Sequence, residues 1–118
     1  MRPIIVTVLA GALACSQPLL QKPPAKGASR SNPYESRPDE ERAGRKLYVR
    51  ECASCHNVDL EGTSPAPALV SPTLKQAPAG AIFWVLRNGS LGRGMPSFAH
   101  MPEQQRWQIV SYLQMRNK

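Results

Sequence analysis

Cys52-Ala53-Ser54-Cys55-His56 is the stretch whose reading decides the fold. Two thiols three residues apart, with an imidazole directly after the second, form the attachment pattern of a covalently bound c-type haem. Residues i and i+3 share one face of a helical turn, so both sulfurs can reach the two vinyl groups along one side of a porphyrin. His56 then offers a ring nitrogen to the iron. Other uses of the five residues fit less well. Two cysteines and one histidine leave a tetrahedral zinc site one ligand short, and the other histidine, His100, has no partner at finger spacing. A thiol redox pair belongs among alternating strands and helices, which the flanking sequence does not show.

Immediately upstream, Asp39, Glu40 and Glu41 put acid where the macrodipole of a starting helix favours it, and the pattern runs through Ala43, Leu47 and Tyr48 to the cysteines. Gly44 inside this helix costs about 1 kcal/mol against alanine, which points to a close backbone contact. The matching surface lies at the far end of the chain. Pro102 and Glu103 open a helix whose Trp107, Ile109, Val110, Tyr112 and Leu113 give a broad apolar face. Crossing the two helices at Gly44, with Ile109 and Tyr112 against Tyr48, closes the domain.

Between these helices the chain is rich in turns. A ligating histidine needs its second ring nitrogen fixed by an acceptor, and a backbone carbonyl held stiffly by proline serves well. Pro67 is the candidate, with Leu69 expected on the ring. Ala79 to Arg87 reads as an apolar helix stopped by Asn88 and Gly89, with Trp84 assigned to core packing. The loop Gly92-Arg93-Gly94-Met95-Pro96 then offers a second iron ligand. The Met95 thioether is a soft donor that favours ferrous iron, glycines let the loop approach closely, and Pro96 stiffens it. Methionine more often fills a core, but Met95 lies off any helical stripe. His100 and Met101 are rivals, assigned to an exposed helix entry and to packing before Pro102.

At 118 residues the chain has room for one core, and a buried haem adds the apolar surface that an aromatic content of 6% does not. The net charge of +7 draws acidic proteins or anionic lipid, and no nucleic-acid motif is present. Three cysteines suit two thioethers and one residue with another role. Residues 1–14 read as a signal segment: Arg2, an apolar run from Ile4 to Leu13, then small residues before Cys15. The run is too short to span a bilayer. Cys15 stands where exported bacterial lipoproteins are acylated, although the leucine usual three places earlier is replaced by Ala12. Residues 15–38, rich in proline with four basic side chains against Glu35, read as a flexible tether. The folded domain is expected over 39–118.

Taken together, these parts resemble the small monohaem class I cytochromes c of bacteria. Gly44, Tyr48, Cys52, Cys55, His56, Pro67, Leu69, Gly94, Met95, Pro96, Tyr112 and Leu113 occur in that family's order and spacing. Only 38 residues separate His56 from Met95, so the chain resembles a compact form without a long lower loop. The resemblance implies an all-α cytochrome c fold, with N- and C-terminal helices crossing around one covalent haem c. It also implies electron transfer outside the cytoplasm. The chain is expected to be a carrier rather than an enzyme, either free or as a subunit of an oxidoreductase complex. A dehydrogenase or quinol-oxidising complex is expected as donor and an oxidase or another cytochrome as acceptor. The expected location is the periplasmic face of a membrane, with a lipid anchor on Cys15. Arg42, Arg45, Lys46, Arg87 and Arg93 are candidates for steering. Two other classes stay open. A gas sensor or peroxidase-like subunit needs Met95 to leave the iron, and a thiol or metal module without haem keeps Cys52 and Cys55 free.

Overall fold

In the computed structural model, which describes residues 24–118, six helices are present in the order α1 (Ala25–Ala28), α2 (Pro38–Glu51), α3 (Ala53–His56), α4 (Pro72–Gln76), α5 (Ala79–Asn88) and α6 (Glu103–Arg116). Among the described residues no strand forms, only an isolated antiparallel bridge between Ser90 and Met95. The expected signal segment, Cys15 and the first part of the tether lie outside the described residues.

α2 and α6 cross as the sequence predicts. Asp39, Glu40 and Glu41 occupy the first turn of α2, and Pro38 sits in its first position, where a missing N–H costs nothing. A Cβ on Gly44 would overlap the carbonyl oxygen of Gln108 and stand 3.0 Å from Tyr112 Cβ. One turn before the crossing, Glu40 accepts a 2.7 Å hydrogen bond from Gln108 Nε2. One turn after it, Tyr48 packs on Tyr112 with ring centroids 5.4 Å apart, and Tyr48, Ile109 and Val110 are completely buried.

α5 spans one residue more than expected and stops at Gly89, whose φ of 70° releases the chain from the helix. Its Phe83 stacks on Trp107 of α6 at 3.9 Å. Arg106 is buried beside them, donating to Met101 O and lying over the Phe83 ring. The short α4 was not anticipated. Ser71 caps it by accepting from Leu74 N, and Pro72 begins it.

Residues 24–37, within the stretch expected as tether, are packed on the domain. Gly27 lies against the Trp84 ring, and Gly80 has no room for a side chain beneath Ala28 and Arg30. Asn32 is buried, donating to Ser111 Oγ at 2.9 Å and Gln114 Oε1 at 3.0 Å while accepting from Tyr34 N at 2.9 Å. Arg30 pairs with Glu103 and holds that carboxyl below its usual range. The pair contributes above the ordinary carboxylate pKa, and the contribution is lost as pH falls through the lowered value. Both side chains are half-exposed, so the contribution is small.

Gly44→Ala should lower unfolding free energy by about 3 kcal/mol, because the clash is with a backbone carbonyl that cannot turn aside. A urea midpoint unchanged from wild type would remove the crossing from this role.

Candidate haem site

The last turn of α2 delivers Cys52, which caps both α2 and α3, and one turn of α3 delivers Cys55 and His56. Cys55 N and His56 N donate to Cys52 O at 3.2 and 3.0 Å, so both cysteines and the histidine sit on one compact turn. Cys52 and Cys55 are free thiols, the first buried and the second exposed. Burial, with Glu51 and Cys55 adding negative charge, pushes the Cys52 thiol up to about 12.

Asn57 ends the turn at φ 66°, ψ 154°, a conformation few side chains adopt. Three contacts hold it there. Its N–H donates to Ala53 O, its Nδ2 donates to Gly62 O at 2.6 Å, and its carbonyl accepts the Tyr48 hydroxyl at 2.5 Å. Burial raises the Tyr48 pKa, so the phenol remains the donor.

The chain then folds back so that Pro67 O lies 2.8 Å from His56 Nδ1. Gly62 makes this return possible. At φ 79° it lies against Ala66, Pro67 and Ala68, where a Cβ would come within 2.7 Å of backbone atoms. Leu69 is half-buried and packs on the main core. Its N–H donates to Leu60 O at 2.9 Å, and its carbonyl accepts from Asn117 Nδ2 at 2.7 Å.

Met95 and Pro96 lie on a separate loop after α5. Ser90 and Met95 exchange both backbone hydrogen bonds, at 3.0 and 3.1 Å, around a 3₁₀ turn over Leu91–Arg93. Gly94 takes φ 87°, and a Cβ there would meet nothing within 4 Å, so its requirement is conformational. Pro96 presses on Gly89, and Ser97 Oγ donates to Arg87 O at 2.6 Å. Met95 is half-buried and packs on the same core as Leu69. Met101 is buried and His100 exposed.

This donor set suits a covalent haem: two free thiols on one turn, a histidine with Nδ1 tied to a carbonyl and Nε2 left as its other nitrogen, and a methionine on an anchored loop. A structural zinc site fits less well, since among the described residues no three His, Cys, Asp or Glu side chains gather. Sequence reasoning missed Asn57, Thr63 and Asn117. Each acts through a side chain bonded to backbone, and only the position of Asn57 directly after the motif offered a signal.

Residues 39–113 match the family described as cytochrome C oxidase, cbb3-type, subunit III. No curated protein sequence gives a significant match. Among solved structures, cytochrome cL from the marine methylotrophic bacterium Methylophaga aminisulfidivorans MPT superimposes with TM-score 0.63 at 21% identity, covering 72% of this chain and 58% of that one. The c-type cytochrome XoxG from Methylobacterium extorquens AM1 gives 0.57 at 26% identity, covering 66% and 50%. The KustC0563 c-type cytochrome gives 0.56 at 21%, covering 64% and 98%. The chain thus spans little more than half the length of the first of these and half that of XoxG.

In chain prepared without haem, iodoacetamide should label Cys55 well before Cys52. Labelling of Cys52 should rise about tenfold per pH unit below its raised pKa, as the thiolate fraction does. Peptide mass spectrometry reads both rates, and equal rates at neutral pH would contradict the burial of Cys52.

Proposed function

The chain belongs to the cytochrome c oxidase, cbb3-type, subunit III family, and from that premise we propose that it carries single electrons between extracytoplasmic redox partners on one haem c. Cys52 and Cys55 hold the haem, and His56 and Met95 are its axial ligands. The observation that carries this reading is the 2.8 Å contact between His56 Nδ1 and Pro67 O. It assigns the proton to Nδ1, leaves Nε2 to the metal and raises the basicity of the ligand.

When bound, the haem supplies a one-electron couple whose potential follows its axial ligands, burial and hydrogen bonds. The chain's own residues keep the ligands still. The α3 turn and the Pro67 carbonyl orient His56, while the Ser90–Met95 bridge and the Gly89–Pro96 contact hold the thioether. Were His56 and Met95 both to bind the haem iron, no position would remain for a substrate, in keeping with a carrier rather than an enzyme. Pro67, Leu69 and Pro96 line the pocket in this reading.

The partners are a dehydrogenase or quinol-oxidising complex as donor and an oxidase or another cytochrome as acceptor, with the chain free or built into such a complex. Arg42, Arg45, Lys46 and Arg50 are exposed along one face of α2, leading toward Cys52, and of these Arg50 is paired with Glu51. Such a face steers approach to an acidic surface. No described helix is long and apolar enough to cross a membrane. The motif around Cys15 supports attachment at the periplasmic face through a lipid on Cys15, following a signal segment over residues 1–14.

The decisive experiment is the absorption spectrum of protein made in a haem-attaching host, oxidised and reduced, for wild type and Met95→Ala. A reduced c-type spectrum with a far-red sulfur-to-ferric band lost in Met95→Ala is expected. A band-free spectrum unaffected by the substitution and altered by carbon monoxide would favour a sensor or peroxidase-like subunit. Absence of covalent haem would sink the reading.

Reversing Arg45 and Lys46 together to Glu should slow association with an acidic redox partner by about tenfold at low salt. The difference should vanish at high ionic strength, and stopped-flow traces across a salt series measure it.

A further inference from the structure

We propose that Thr63 is the positioning residue that sets the His56–Pro67 hydrogen bond and, through it, the reduction potential of the haem iron. The inference rests on the functional reading above and extends it to a residue outside the attachment motif.

Proline has no N–H, so Pro67 has no backbone donor of its own with which to anchor the carbonyl that faces His56. The residue before it supplies the anchor. Ala66 is held at both of its backbone polar groups by Thr63: Thr63 N donates to Ala66 O at 2.8 Å, and Ala66 N donates to Thr63 Oγ1 at 3.3 Å. The same hydroxyl donates to Cys55 O at 2.9 Å. Cys55 is bonded to His56, and His56 Nδ1 meets Pro67 O. The contacts therefore close a ring through Cys55, Thr63, Ala66, Pro67 and His56. Apart from the imidazole itself, the Thr63 hydroxyl is the one side-chain group in that ring.

Thr63 is exposed. Its hydroxyl is not needed to satisfy a dry core, and an exposed side chain contributes little to packing. What it does is tie the loop carrying the acceptor to the turn carrying the ligand. Without the hydroxyl, Ala66 N loses its acceptor and Cys55 O its donor, the Thr63 N–Ala66 O bond remains alone, and Pro67 O is held less firmly against Nδ1. A weaker bond at Nδ1 makes the imidazole a poorer electron donor, destabilises ferric iron relative to ferrous and raises the potential.

The test compares haem-loaded wild type, Thr63→Val, Thr63→Ser and the neighbouring control Ser64→Ala. Valine keeps the β-branched shape and removes the hydroxyl, whereas serine keeps the hydroxyl. The midpoint potential should shift upward in Thr63→Val and return toward wild type in Thr63→Ser and Ser64→Ala. The far-red methionine band should stay intact in every variant, and exchange of the His56 Nδ1 proton, followed by NMR, should be faster only where the hydroxyl is removed. Thr63→Ala, smaller than valine and unable to clash, must move the potential in the same direction. Wild-type potential and proton exchange in Thr63→Val and Thr63→Ala, whether or not either is less stable, would overturn the proposal and leave Thr63 a structural residue. The wild-type spectrum separates the two levels of failure. Covalent haem with potentials indifferent to Thr63 overturns only this inference, whereas a wild type without covalent haem overturns the functional reading as well.

Discussion

At the crossing of α2 and α6, Gly44 lies against the carbonyl of Gln108, and a single carbon more would separate the helices. Much else follows from that contact. It brings Tyr48 onto Tyr112 and seals Ile109 and Val110 from water. From there the Tyr48 hydroxyl reaches past the end of its own helix to Asn57 O. The crossing thus fixes the direction of α2 and also the backbone just beyond His56. A helix is stiff along its axis, so a position set at Gly44 is carried two turns on to Cys52 with little loss.

The two expected ligands are held by different means. His56 sits in a net of short polar contacts, and these maintain the unfavourable backbone of Asn57 against its own preference. The Met95 loop has polar ties of its own, among them the Ser97 hydroxyl on Arg87 O. A reciprocal backbone pair, a glycine pressed by Pro96 and the packing of Met95 on the core position it. For a group that must change charge without moving, rigidity is needed on both sides. Polar contacts resist rotation of His56, and packing on the core restrains Met95.

Those features that depend on neighbours in the chain were legible in the sequence. The turn over Cys52 to His56, α2, α5, α6, the glycine at the crossing and the contact of His56 with the Pro67 carbonyl all follow from spacing, periodicity and the needs of an imidazole. Part of what could not be read depends on partners far away. Asn32 looks like a tether residue among prolines and lysines, yet its partners Ser111 and Gln114 lie about eighty residues on. Asn117 ties the Leu69 carbonyl and Ser71 N to the end of α6 from the second-last position in the chain. α4 had a local signal in Ser71 and Pro72, but five residues are too few for a period to show. Thr63 carried none, because a hydroxyl that braces backbone looks no different from one that faces water.

The packed stretch before α2 changes how the domain is divided. Read as a tether, residues 24–37 would be passive. In the structure they lie on α5 at Gly80 and Trp84 and on α6 at Ser111, joining the helix that leads into the Met95 loop to the helix that crosses α2. The crossing supports the histidine side directly and the methionine side only through α5, whose hold on α6 rests on Phe83 and Trp107. The N-terminal segment braces that same junction from outside. Its glycine, asparagine and arginine contacts therefore belong to the support of the Met95 loop as much as the glycines of the loop itself.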